Sequence, residues 1–219
     1  MRLAVFGATG RTGIPLLKQS LERGHTLKVL VRNVDRLKLS EQELKNVTVV
    51  EGNATNQNDV DRTIEGTDAV LNVLGHASNS PSDILTKSTS AIIQAMKKHN
   101  VKLHVVLSME SVVEKGDNPS NYQKMCSFLV NKVGIKALAT DSYNQGELIR
   151  AVPREEIDYV IVRGPQLTEG PFTGNYKVSN YFEYGLYMKS TISRADAAHF
   201  MLNCLESKEH LGRCPCIKY

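Results

Sequence analysis

The chain of 219 residues is 41% hydrophobic and 23% charged, which is ordinary for a globular protein and excludes a disordered chain, a collagen or a coiled coil. Its formal net charge of +4 is too small to indicate a nucleic-acid partner unless the charge is clustered. No apolar run approaches the roughly 18 residues of a membrane helix, and a strand that starts next to Met1 leaves no room for a signal peptide, so we expect no membrane contact.

The four cysteines, Cys126, Cys204, Cys214 and Cys216, are too sparse for a disulfide-built secreted domain. Cys214 and Cys216 stand close together but lack the second Cys or His pair that a structural zinc site requires. We therefore expect reduced thiols, no metal site and a cytoplasmic location.

Short apolar runs alternate with segments of helical spacing along most of the chain. The apolar runs predict strands at 3–6, 27–31, 47–50, 69–74, 103–107 and 159–163. The helical spacing predicts helices at 14–21, just before Gly66, and at 84–95, 125–133, 141–151 and 194–205.

Strands that are apolar throughout are typical of a parallel sheet covered by helices on both faces. Strand–helix–strand repetition with short connections therefore predicts a doubly wound (Rossmann) α/β fold. The sequence shows no linker and no repeat, so we expect a single domain over residues 1–219. Its loop-rich C-terminal part is expected to form a substrate cap within about residues 109–190.

The most informative segment is the glycine-rich turn between the first predicted strand and the first predicted helix, Gly7-Ala8-Thr9-Gly10-Arg11-Thr12-Gly13. Glycines at this spacing allow the backbone to approach a diphosphate closely, and the helix N-terminus supplies free N–H groups. The alternative is a glycine-rich loop that serves only packing. The G-x-x-G-x-x-G spacing resembles that of the short-chain dehydrogenase superfamily, in particular its extended and atypical members. We expect the cofactor to be held here by Gly7, Thr9, Gly10, Arg11, Thr12 and Gly13.

The residue that follows the second predicted strand indicates which dinucleotide is bound. An NAD-binding protein places Asp or Glu there to accept the ribose hydroxyls, whereas this chain has Arg32, with Arg36 close behind. A guanidinium can pair with a 2′-phosphate and stack on adenine, so we expect NADP(H) as the cofactor. The alternative is two solvated arginines on a loop.

Three more segments join the predicted cofactor site. By resemblance to the superfamily, Asn53 is expected at the adenine, and Leu74 with Gly75 at the inner ribose. His76 directly follows and lies near the expected path of the cofactor, although a hydrogen bond within its loop is the simpler interpretation.

The catalytic pair of standard short-chain dehydrogenases is missing. None of the eight tyrosines has a lysine four residues later, so an alkoxide would form without its proton donor. Two classes of protein bind NADPH without this pair: reductases of flavins, bilins or quinones, whose conjugated systems spread the incoming charge, and proteins that bind the nucleotide as a signal.

Several segments together resemble the biliverdin IXβ reductase/flavin reductase family, within the wider NmrA-like group. The matching segments run in order over nearly the whole chain, at 5–13, 29–33, 91–97, 170–176 and 192–196. The resemblance implies a monomeric NADPH-dependent reductase with loose specificity for a small planar substrate such as a flavin or bilin.

The resemblance fails at the expected catalytic positions. Glu110 stands where the family has a serine with an assigned catalytic role, so the neighbouring Ser108 and Ser111 become the candidate catalytic residues, unless they only cap backbone groups. Gln166 replaces the family's histidine in the segment that begins at Gly164 and includes Pro165, which we expect to contact the cofactor. The helix at 141–147 should face the nicotinamide, with Tyr143 as a proton donor or, more simply, a packing residue.

Aromatic residues concentrate in the irregular segment before the last helix: Phe172, Tyr176, Tyr181, Phe182, Tyr184 and Tyr187. They can stack on a flat substrate or pack the cap onto the core, and the sequence favours neither. The sequence thus predicts an NADPH-dependent reductase of a conjugated acceptor. The rival prediction is a non-catalytic NADP(H)-binding redox sensor or scaffold of the NmrA-like kind.

Overall fold

A central sheet, almost entirely parallel, brings the carboxyl ends of its strands to one edge. The computed structural model describes residues 1–77, 80–110, 136–179 and 190–219. The strands found in this part of the chain are β1 (Arg2–Phe6), β2 (Thr26–Val31), β3 (Val47–Glu51), β4 (Ala69–Asn72), β5 (Leu103–Met109), β6 (Asp158–Gly164), β7 (Gln166–Thr168), β8 (Lys177–Ser179), β9 (Thr191–Ser193) and β10 (Cys216–Lys218).

The order of strands in the central sheet is β3-β2-β1-β4-β5-β6-β10-β8. Every neighbouring pair is parallel except β10 with β8. Strands β7 and β9 form a separate parallel pair. The predicted doubly wound α/β fold is confirmed by this order, in which the chain turns back at β1 and continues outward from β4.

Helices cover both faces of the sheet. In the described residues they are α1 (Gly13–Glu22), α2 (Glu41–Leu44), α3 (Gln57–Ile64), α4 (Ile84–Lys98), α5 (Lys136–Arg150) and α6 (Arg194–Glu206). None of them is long and apolar enough to cross a membrane.

Strand β1 shows why its residues are apolar at every position but the first. Leu3 and Val5 pack with α1 and α6 on one face, and Ala4 and Phe6 pack with α3 and α4 on the other. All four side chains are fully buried. Burial of a side chain the size of Phe6 stabilises the fold by about 1.5–3 kcal/mol, so a polar substitution at any of these positions is costly.

Helix α1 ends where the sequence predicts. Gly24 adopts a left-handed φ of 76°, and its N–H donates to the carbonyl oxygen of Leu21 at 2.9 Å. Nothing lies within 4 Å of the place where a Cβ would stand, so only the backbone angle requires glycine here.

The structure departs from the sequence-based expectation at some element boundaries and in the shortest elements. Strand β4 ends at Asn72, whereas the apolar run continues to position 74, and α5 begins five residues before the predicted helix at 141–151. Strands β7 to β10 and helix α2 have three or four residues each, too few to show a periodicity. The helix predicted at 125–133 lies outside the described residues.

Candidate functional site

The glycine-rich turn sits at the carboxyl end of β1 and is closely packed. Gly7 has a φ of 88°, and a Cβ on it would stand 2.6 Å from the carbonyl oxygen of Val73. A Cβ on Gly13 would stand 2.2 Å from the carbonyl oxygen of Gly7, whereas one on Gly10 would keep 3.1 Å. Gly7 is therefore required by both backbone angle and space, and Gly13 by space alone.

Helix α1 begins directly after the glycine-rich turn, so its N-terminus lies at the same edge of the sheet. Thr12 occupies the N-cap position without a side-chain hydrogen bond to the helix, and the first turn carries no acidic residue. Thr9, Gly10, Arg11 and Thr12 line a groove that opens beside this terminus, while Gly13 is buried beneath it. The positive end of the helix dipole favours an anionic group here.

Two arginines lie at the end of the groove next to β2. Arg32 directly follows the strand, and Arg36 ends a single 3-10 turn whose start is fixed by a 2.8 Å hydrogen bond from the Asp35 N–H to Asn33 Oδ1. Both side chains are exposed and line the groove. Within the described part of the chain neither guanidinium is paired with a carboxylate, so both charges are available to a ligand.

Asn53 also lines the groove, in a turn that its own hydrogen bonds hold. Its Oδ1 accepts from the N–H and the hydroxyl of Thr55, both at 3.1 Å, and its N–H donates to Asp59 Oδ2 at 2.9 Å. The backbone bond from Asn53 and the side-chain bond from Arg62 hold the pKa of Asp59 below its usual value. The turn is thus fixed before any ligand arrives.

The loop after β4 forms the opposite wall. Leu74, Gly75 and His76 all line the groove, and the Leu74 N–H donates to the buried Asn72 Oδ1 at 3.0 Å. The sequence places these residues at the cofactor, and the structure brings them into the same groove as the glycine turn.

His76 meets a buried carboxylate on α5. Its Nε2 lies 3.1 Å from Asp141 Oδ2, within ion-pair distance but not aligned for a hydrogen bond. Asp141 accepts from the N–H groups of Leu85 and Thr86 at 2.8 and 2.9 Å and from the Thr86 hydroxyl at 2.5 Å. The N-cap residue Asp83 makes no side-chain hydrogen bond to the helix, so the start of α4 is capped by Asp141 of α5 instead. Asp141 therefore links α4, α5 and the loop after β4.

The last wall of the groove comes from residues that the sequence did not indicate. Leu167 on β7 and Arg194 at the start of α6 line it, as do Thr55 and Ile84. Pro165 lies outside the lining, two residues before Leu167. Arg194 lies in the segment 192–196 of the family resemblance, but its spacing alone does not place it at the cofactor. The packing of α6 against α1 brings it to the glycine turn.

The candidate catalytic residues are only partly described. Ser108 lies on β5 beside Arg163 on β6, half-buried and outside the groove lining, and Ser111 lies outside the described residues. The Glu110 N–H donates to the Gly164 carbonyl oxygen at 2.8 Å. Burial raises the pKa of the Glu110 carboxyl, against the opposing effect of Lys218 and Arg163.

Three predicted aromatic residues lie away from the groove, one on α5 and two between β7 and β8. Tyr143 is 45% exposed, so the expectation of a packing tyrosine is wrong. Tyr176 Oη lies 2.8 Å from His199 Nδ1, and burial raises the pKa of this phenol to about 12. Phe172 is exposed, with its ring 4.8 Å from that of His199. Neither aromatic residue lines the groove, and the other four of the cluster lie outside the described residues.

The groove has a volume of about 480 Å3, which is within the range of small-molecule and cofactor sites. It runs from the two arginines past the glycine turn to the loop after β4, along the carboxyl ends of the strands where the strand order reverses. The tight glycines, the uncapped helix and the unpaired arginines fit a dinucleotide with its diphosphate at the turn.

Comparison with known proteins agrees with this geometry. The profile of a family described as NAD(P)H-binding matches residues 7–208. The chain belongs to this NAD(P)H-binding family. The predicted nicotinamide dinucleotide cofactor is thereby confirmed.

Proteins of several sources are similar to this chain over most of its length. An uncharacterized chloroplastic protein of Arabidopsis thaliana is 27% identical over 95% of this chain and 73% of its own. A short-chain dehydrogenase/reductase of Veillonella parvula, solved in complex with NADP, matches with a TM-score of 0.78 at 16% identity, over 100% of this chain and 94% of that chain. A Streptococcus pneumoniae protein named as an NADH-flavin reductase matches with a TM-score of 0.73 at 19% identity, over 100% and 99%. At these identities the solved structures establish a common fold.

Proposed function

We propose that this protein is an NADPH-dependent reductase whose acceptor is a flavin, a bilin or a similar conjugated molecule. The observation that carries the choice of cofactor is the pair Arg32 and Arg36, which line the groove beyond β2 without a carboxylate partner in the described residues. A carboxylate at position 32 would accept hydrogen bonds from the ribose hydroxyls of NADH and repel a 2′-phosphate. Two guanidinium groups attract a 2′-phosphate and offer no acceptor to those hydroxyls.

The chain's own residues then have three tasks. The glycine turn and the N-terminus of α1 bind the diphosphate, Arg32 and Arg36 bind the 2′-phosphate, and the loop at Leu74 to His76 orients the remainder of the cofactor. Bound NADPH supplies the hydride. Because position and orientation come from rigid elements, the protein's main contribution is to hold the donor against the acceptor.

The nature of the acceptor follows from a missing proton donor. The sequence has no Tyr-x-x-x-Lys pair, and Tyr143 on α5 is turned to the surface. An isolated carbonyl would need a proton as the hydride arrives. A flavin or bilin spreads the charge over its rings and can take its proton from water, so this site suits such acceptors. The similarly folded S. pneumoniae protein bears the name of a flavin reductase, which supports this choice.

A second candidate function is favoured by Glu110 and Gln166. Glu110 lacks the hydroxyl of the serine at that position in the resembled family, and Gln166 lacks the imidazole of its histidine. Gln166 is exposed on β7. A chain with this groove but without turnover would be an NADP(H)-binding sensor or scaffold. A monomeric state and a cytoplasmic location stay predictions, and the Arabidopsis relative is named as chloroplastic.

One assay separates the two functions. NADPH oxidation is followed by absorbance with FMN, riboflavin or dichlorophenolindophenol as acceptor, and binding of NADPH is measured in parallel by fluorescence. We expect turnover well above the rate without protein, and faster with NADPH than with NADH. Tight binding of NADPH with no turnover of any acceptor would refute the reductase and favour the sensor.

A further inference from the structure

Three charged side chains meet where the glycine turn faces α6. Arg194 Nη1 lies 2.8 Å from Glu169 Oε1, and Arg11 Nη1 lies 3.5 Å from the same oxygen. Arg11 belongs to the turn and Arg194 is the first residue of α6, so the two guanidinium groups come from different elements. Both line the groove, whereas Glu169 does not.

The charges of this cluster do not balance. One carboxylate faces two guanidinium groups, and the positive ends of two helices, α1 and α6, lie nearby. Arg194 has only 11% of its side chain exposed, and burial lowers its pKa despite the neighbouring Glu169. A largely buried cation that shares a single carboxylate oxygen with a second cation favours a further anion.

We propose that Arg11 and Arg194 form a clamp for the cofactor diphosphate, and that Glu169 occupies this clamp as a competing anion until the cofactor displaces it. The inference rests on the proposed function, because it needs a dinucleotide in this groove. The diphosphate offers several oxygens and two charges, so each guanidinium can form charge-assisted hydrogen bonds that the single shared Oε1 does not provide.

Glu169 is well placed to be displaced. It follows the short strand β7 and has 65% of its side chain exposed, so it can swing into water without breaking a packed contact. The pair with Arg11 is exposed at both partners, and exposed ion pairs contribute little net stability. The carboxylate thus costs the site affinity for NADPH but screens the arginines from other anions when the groove is empty.

The test measures the dissociation constants of NADPH and of adenosine 2′-monophosphate, which carries no diphosphate, by calorimetry at low salt. The variants are Glu169→Gln, Arg194→Met and Arg194→Lys. Glu206→Gln serves as the matched control, because it removes the same charge from a 3.8 Å ion pair with Arg23 outside the groove. Thermal unfolding checks that each variant is folded.

We expect Glu169→Gln to bind NADPH roughly twofold to fivefold tighter, the gain that an exposed ion pair allows. Arg194→Met should bind NADPH about tenfold or more weakly, with Arg194→Lys between it and the parent chain. Adenosine 2′-monophosphate and the Glu206→Gln control should show no change.

Two results would overturn the clamp in different ways. If the parent chain binds NADPH and Glu169→Gln binds it equally or more weakly, Glu169 does not compete with the diphosphate, and the proposed function stands. If the parent chain binds no NADPH at all, the clamp and the proposed function fail together.

Discussion

His104, in the middle of β5, makes stability depend on acid in a way that can be calculated. Its side chain is fully buried, and neither ring nitrogen has a hydrogen-bond partner in the described residues. Burial lowers its pKa from 6.5 to about 3, because no group nearby compensates a charge on the ring. In the unfolded chain the same imidazole is exposed and titrates normally.

The direction of the pH effect on stability depends on which state, folded or unfolded, binds a proton at His104. Above the unfolded pKa of 6.5 both states are neutral and His104 has no effect. As the pH falls below that value the unfolded chain takes up a proton and the folded chain does not, so the folded state is progressively destabilised until the pH reaches about 3. Each pH unit below 6.5 costs about 1.4 kcal/mol, so lowering the pH from about 7.5 to about 4.5 destabilises the folded state by about 3 kcal/mol, nearly all of it below pH 6.5.

The variant that tests this is His104→Leu, which keeps an apolar side chain in the core and removes the titration. Urea unfolding followed by circular dichroism at the two pH values should show that the acid-induced loss of stability shrinks by about 3 kcal/mol relative to the parent chain. The control is Val106→Ala on the same strand, which should lower the free energy of unfolding equally at both pH values. A His104→Leu protein that keeps the full acid-induced loss would refute the assignment to this histidine.

Two further predictions concern contacts around the groove. Gly13→Ala places a methyl group 2.2 and 2.5 Å from the carbonyl oxygens of Gly7 and Ala8, so it should cost about 1–3 kcal/mol of stability in chemical unfolding together with most NADPH affinity. Gly10→Ala is the milder control, because its methyl group would stand 3.1 Å from the carbonyl oxygen of Gly7. An equal effect of both substitutions would contradict the packing argument. Asp141→Asn removes an acceptor from the start of α4 and should lower the free energy of unfolding by about 1–3 kcal/mol. Asp83→Asn should change it little, because the Asp83 side chain does not cap the helix. A larger loss of stability in Asp83→Asn than in Asp141→Asn would show that the helix is capped locally.

The sequence predicted the elements that carry their own signal. Strands β1, β2, β4, β5 and β6 are largely apolar runs because both faces of the sheet are buried there, and α1 ends at a glycine that needs a left-handed backbone angle. Strand β3, at the edge of the sheet, has only Val50 buried. Strand β10 has no such signal. It has three residues, and it is a strand only because β6 and β8 lie on either side of it.

Within the candidate site too, some residues carry a local sequence signal and others are placed only by tertiary packing. The glycine turn and Arg32 are close to β1 and β2 in sequence, so local spacing is enough to place them. Arg194 reaches the turn from the far end of the chain, and Asp141 caps a helix more than fifty residues before it, as the separation of 56 positions from Leu85 shows. Such contacts depend on how the helices pack, and one sequence does not record that.

We propose that Arg32 selects NADPH over NADH by binding the 2′-phosphate. The most direct measurement is the ratio of the dissociation constants of NADH and NADPH, by calorimetry, for the parent chain and for Arg32→Asp. A charge-assisted phosphate contact predicts that the parent chain prefers NADPH by about tenfold or more, and that the substitution removes most of this preference by weakening NADPH. Equal affinity of the parent chain for both cofactors, or an equal loss for both in Arg32→Asp, would contradict it.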